Sequence, residues 1–101
     1  MRALERANSV RLARAELKRA VARGDLDPAE VVRDCPWQTE SMTISELLTS
    51  QRRWGRTRAR KFLMPLSMSE NKQLGTLTPR QRAMLATELA ARVSGGPRAI
   101  V

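Results

Sequence analysis

Ten consecutive residues, Arg52-Arg53-Trp54-Gly55-Arg56-Thr57-Arg58-Ala59-Arg60-Lys61, carry six positive charges and no negative one. Like charges repel, so such a run opposes folding unless an anion meets it. The Trp54-Gly55 pair stands where one helix should stop and the next begin. Gly55 there allows a backbone conformation closed to residues with a β-carbon, and it lets a phosphate come close. Amides opening the next helix would point at that phosphate, with the helix dipole behind them. The chemistry implied is phosphate binding, with Arg52, Arg53, Trp54, Gly55, Arg56, Thr57, Arg58 and Lys61 as candidate contacts. A polymer of phosphates is nucleic acid.

Further cations extend the candidate surface. Lys72, Gln73 and the Gly75-Thr76 pair could form a second phosphate clamp in a later turn. Arg80 and Arg82 open the last helix, where positive charge opposes the dipole. Either that is an ordinary solvated helix start, or a phosphate sits there and reverses the penalty. Arg11, Arg14 and Lys18 form a stripe on the first helix, read either as a solvated flank or as a second DNA-contacting surface. Trp54 also has two readings. It plugs the junction between two helices, or it wedges between base steps from the minor groove and kinks the duplex.

Composition narrows the classes. The net charge of +9 over 101 residues points to nucleic acid, with an anionic membrane as the weaker reading. No apolar stretch approaches the roughly 20 residues of a membrane span. Met1-Arg2-Ala3-Leu4-Glu5-Arg6 lacks the apolar run of a signal peptide, so the expected location is the cytoplasm. There is no histidine and a single cysteine, Cys35, which excludes an intramolecular disulfide, an imidazole base and the usual zinc ligand sets. Cys35 beside Pro36 reads as a small inert hydrophobe. No catalytic residue, metal or cofactor is expected.

The elements that must position these residues are helices. Apolar residues make up 42% of the chain but only three are aromatic, so the core is built from Leu, Val, Met and Ala. Residues 5–23 form one long helix with Val10, Ala13, Leu17 and Val21 on one face, stopped by Gly24. Asp27-Pro28-Ala29-Glu30 opens a short second helix through N-cap, Pro at N1 and a capping box, flanked by a Leu26/Val31 staple. Cys35-Pro36 ends it, and Trp37 in the connector is expected to cover the core. Thr43 with Glu46, and Met42 with Leu47, repeat box and staple for a helix over about 44–51. Residues 56–64 form the basic helix, and 66–77 two tight turns with Leu66, Met68, Leu74 and Leu77 as buried points. Thr78-Pro79-Arg80-Gln81 caps a final helix lined by Leu85, Leu89 and Val93, which Ser94-Gly95-Gly96-Pro97 ends. The fold class is all-α. One compact domain is expected: 1–39 as long helix, short helix and connector, 40–94 as the binding module, 95–101 as a flexible tail.

The stretch Leu4-Glu5-Arg6-Ala7, then Ala13-Arg14-Ala15-Glu16-Leu17-Lys18, resembles the opening of the actinobacterial integration host factors. The resemblance continues through Met42 to Leu48, Gly55-Arg56, Ala59, Leu74, Leu77 and Arg80-Gln81-Arg82-Ala83, in order along nearly the whole chain. It implies a long N-terminal helix packed on a small helix–two-turns–helix module. It also implies a nucleoid-associated protein, chromosomal or phage-encoded, that binds and bends duplex DNA with little sequence preference, supporting recombination, compaction or regulation. A site-specific integrase on the same DNA is the implied protein partner, and the chain is expected to be a monomer. The family has a proline and an aliphatic residue before the motif glycine, where this chain has Arg52 and Trp54; its later turn carries arginines, where this chain has Lys72, Gln73 and Gly75. The same module occurs in a small-subunit ribosomal protein, so binding to structured RNA is the alternative.

Overall fold

Capping chemistry sets the helix boundaries. The computed structural model describes residues 2–92, which contain α1 (Arg2–Arg23), α2 (Pro28–Asp34), α3 (Ile44–Thr49), α4 (Arg56–Leu63) and α5 (Pro79–Ala90). Single 3-10 turns lie at Trp37–Thr39, Met64–Leu66 and Leu74–Thr76. The fold is all-α; among the described residues the one β-like pairing is the isolated bridge between Thr43 and Gln73. Val93, the Ser94-Gly95-Gly96-Pro97 stop and the 95–101 tail lie outside the described residues.

Of the three expected capping boxes, α5 has the reciprocal form. The Thr78 hydroxyl accepts from Gln81 N, and Gln81 Oε1 accepts from Thr78 N. At α3, Thr43 Oγ1 accepts from Glu46 N, but the Glu46 carboxylate meets Lys18 Nζ at 2.7 Å instead of reaching back. At α2, Asp27 Oδ1 accepts from Ala29 N, while Glu30 N bonds to the Asp27 carbonyl. Gly24 takes φ +84, the left-handed stop expected after α1. Cys35 ends α2 in the same region at φ 44, its N–H bonded to Val31 O.

One continuous core runs from Leu17 and Val21 of α1 to Leu85 and Leu89 of α5, through Val31, Val32, Met42, Ile44, Leu47, Leu48, Phe62, Leu63 and Leu74. α2 packs chiefly on α5, and α3 on α4. Only the second half of α1 enters the core. Val10 and Ala13 are half-buried, Leu12 is 68% exposed, and the molecule is elongated, 53 × 27 × 23 Å. Trp37 departs from expectation: it is 58% exposed, and the buried residue of its turn is Thr39, whose hydroxyl donates to Pro36 O.

The third 3-10 turn is fixed by backbone bonds to the segment before α3. Leu74 N donates to Met42 O, Ile44 N to Lys72 O and Gly75 N to Glu40 O. A β-carbon on Gly75 would lie 2.8 Å from that same Glu40 oxygen. Gly75→Ala must therefore push the two strands of chain apart and is expected to cost about 1–3 kcal/mol, as overpacking does. Thermal melting followed by circular dichroism should show a Tm lowered by roughly 4–8 °C per kcal/mol. An unchanged Tm would mean the turn is not held this way.

Candidate nucleic-acid interface

The α3–α4 junction is built by a bonded turn. Ser50 N and Gln51 N donate to Leu47 O and Leu48 O, and Trp54 N to Gln51 O. Arg53 sits in this turn at φ 69, a left-handed conformation that arginine seldom adopts. Gly55 is extended, at φ −95 and ψ −178, which any residue can adopt. The expectation that Gly55 supplies a special backbone conformation is corrected. Packing does not require glycine there either, since a β-carbon would meet nothing within 4 Å and the position faces open space.

No side chain caps α4. Ala59 is the first amide to find an intrahelical acceptor, Gly55 O at 3.1 Å, so those of Arg56, Thr57 and Arg58 are left as open donors of the first turn. Arg52, Arg53, Arg56, Thr57, Arg58 and Lys61 are all exposed around this end. Ala59, Phe62 and Leu63 hold the opposite face of α4 in the core. The structure thus brings together an uncapped helix start and a crowd of cations, an arrangement suited to an oxyanion. The sixth cation of the run, Arg60, is engaged by Glu70 at 2.8 Å. That hydrogen bond holds the Glu70 carboxyl below the usual carboxylate range and raises the Arg60 guanidinium.

Trp54 is 8% exposed and belongs to the core. Its ring meets Phe62 edge-on at 5.5 Å and 76°, and the Arg58 guanidinium carbon lies 4.4 Å from its centroid. The plug is the reading this geometry matches; a wedge would need the ring exposed. In this position the Trp54 ring supports the Arg58 guanidinium.

The later turn also differs from expectation. The amides of Leu74, Gly75 and Thr76 are bonded to Met42 O, Glu40 O and Gln73 O, and the Thr76 hydroxyl donates to Gln73 O. Gly75 and Thr76 therefore offer no amide to a phosphate there, which leaves the Gln73 amide and the side chains of half-buried Lys72 and exposed Gln73. The closeness of Glu40 is by itself enough to require glycine at position 75.

Arg80 is exposed at the start of α5, whereas Arg82 turns inward. Its guanidinium donates to Val32 O (2.8 Å), Leu74 O (2.9 Å) and Leu77 O (3.5 Å), clasping α2 and the third turn to α5. Arg82→Met leaves those carbonyls without their donor and is expected to cost about 1–3 kcal/mol of stability. Duplex affinity of the folded protein should stay the same in a titration below its melting range. Weaker binding without lower stability would return Arg82 to the interface.

The α1 stripe is mostly occupied. Arg14 donates to Gln38 O at 3.1 Å and to the Ser41 hydroxyl, Lys18 pairs with Glu46, and Arg11 alone of the three is exposed. Sequence reasoning missed Arg23 and Arg92, which line a cleft together with Arg52, Arg53 and Arg58. Nothing local marks them, because separate elements bring them there. Among the described residues no group of three or more His, Cys, Asp or Glu side chains could hold a metal ion, and no helix is long and apolar enough to cross a membrane.

No protein-family model matches the chain, and no curated protein does. The structure is similar to that of sIHF, an integration host factor solved bound to an 8-base-pair palindromic DNA. The similarity has a TM-score of 0.74 at 29% sequence identity, covering 84% of this chain and 98% of that one.

Proposed function

We propose that this chain is an architectural DNA-binding protein of the integration-host-factor type. It grips duplex phosphates with the uncapped start of α4 and the arginines around it, and it bends the duplex with little sequence preference. The observation that carries this is the combination of open amides at Arg56–Arg58 with exposed Arg52, Arg53 and Arg56, in a chain whose fold matches a DNA-bound relative. Arginines spread over a turn serve phosphates better than base edges, so weak discrimination follows. Lys61, Lys72, Gln73 and Arg80 add peripheral charge, and residues 40–94 carry the module. On this reading the protein works as a monomer on the nucleoid, compacting or regulating DNA or assisting a site-specific integrase, and no chemical step is assigned to it.

The experiment is a titration of a fluorescent duplex of about 20 base pairs, with a matched RNA duplex alongside, across several salt concentrations. Each phosphate neutralised contributes ~0.9 to the log–log salt slope. Steep, sequence-indifferent binding to DNA supports the reading. Preference for structured RNA supports the ribosomal-type alternative, and absence of duplex binding at low salt overturns both.

A further inference from the structure

A cleft runs between the end of α1, the start of α2 and the 51–54 turn, and five arginines line it: Arg23, Arg52, Arg53, Arg58 and Arg92. Asp27 is the acid in its lining, and one oxygen of that carboxylate is taken up by Ala29 N as the cap of α2. Arg52, Arg53, Arg58 and Arg92 have no ion-pair partner among the described residues; Arg23 meets Asp25 at 2.9 Å through Nε alone. Two of the guanidinium groups are placed by rings instead of carboxylates. Arg58 lies over Trp54 at 4.4 Å and Arg92 over Phe62 at 5.5 Å, while the two rings touch edge to face. Cation–π placement orients a guanidinium without cancelling its charge. Trp54 lines the cleft beneath Arg58, and Phe62, buried behind it, carries Arg92, so two cations are held without a counter-charge beside the other three.

Convergence of five like charges from three separate parts of the chain is unfavourable unless an anion is shared among them. Arg52, Arg53 and Arg58 belong both to this cleft and to the α4 start, so the two surfaces are continuous. We infer that the cleft holds the phosphate backbone of duplex DNA where it continues past the α4 N-terminus, with Arg23 and Arg92 as its outer contacts. This rests on the function proposed above and extends it. The duplex is held along a track, not at one point, and a track that turns from α4 into a cleft gives the protein a means of bending.

The test uses the full chain and Arg23→Gln/Arg92→Gln, which removes two charges far in sequence from the 52–61 run. Against an ~20-base-pair duplex the salt slope should fall by about 1.8, two contacts at ~0.9 each. The end-to-end distance of a doubly labelled duplex should lengthen as the bend relaxes. Arg92→Lys alone, which keeps the charge, should stay near the wild-type slope. Arg19→Gln/Arg33→Gln, two exposed arginines outside the cleft, should leave slope and bend unchanged. Circular dichroism melts confirm that each variant is folded at the titration temperature. Wild-type binding with an unaltered slope in the cleft variant overturns the inference alone, as does an equal loss in the control pair. Absence of duplex binding by the wild type overturns the function on which it rests.

Discussion

Trp54→Ala should lower folding stability by about 3–5 kcal/mol, the usual cost of deleting a large buried aromatic side chain. That is a large share of the roughly 5–15 kcal/mol that holds a domain folded. Trp54 is 8% exposed, packs edge-on against Phe62 and supports the Arg58 guanidinium, so its removal opens a void at the α3–α4 junction and frees a cation at once. Urea or thermal unfolding reads the first effect. The second appears as weaker duplex binding in proportion to lost helicity, and Trp54→Phe, which keeps an aromatic face under Arg58, should recover part of both. A Trp54→Ala protein of undiminished stability that binds DNA but no longer bends it would establish the wedge instead, and would mean that the ring leaves the core when DNA arrives.

What was legible in the chain was local. Thr78 with Gln81 caps α5 reciprocally, Gly24 stops α1 and the core residues of α3 follow from the Met42/Leu47 spacing. The cationic run could be read as an interface because charge density is visible without a structure. What was not legible depends on partners distant in sequence. Arg80 and Arg82 stand two apart on one helix start, so they point to different sides; which one turns inward depends on Val32 and Leu74, far away in the chain. Gly75 reads as a ligand-facing glycine until Glu40 is placed against it. Trp37 has the type of a core residue, yet the turn after Pro36 directs Thr39 inward and leaves the indole 58% exposed. Glycine at position 55 predicts a special backbone conformation that the chain does not adopt, and its open surroundings are a tertiary fact. The Arg23–Arg92 convergence had no local signal at all.

Arg56→Gln should weaken duplex binding about tenfold or more near physiological salt, a loss of roughly 1.4 kcal/mol or above, and reduce the log–log salt slope by about 0.9. The residue is exposed at the first position of α4 and has no ion-pair partner among the described residues, so its charge is available to a phosphate held by the amides of that turn. Glutamine keeps the stem and the helix start while removing the charge, and the melting temperature should change little. The loss should be the same on unrelated duplex sequences, because a contact to phosphate carries no base information. Arg56→Glu should lose more, since it places a negative charge beside the site the phosphate would occupy. These readouts together separate phosphate gripping from base reading. A loss confined to particular sequences would make α4 a recognition helix and the protein a specific regulator. An unchanged slope would remove the α4 start from the interface and leave the arginine cleft as the surface to test next.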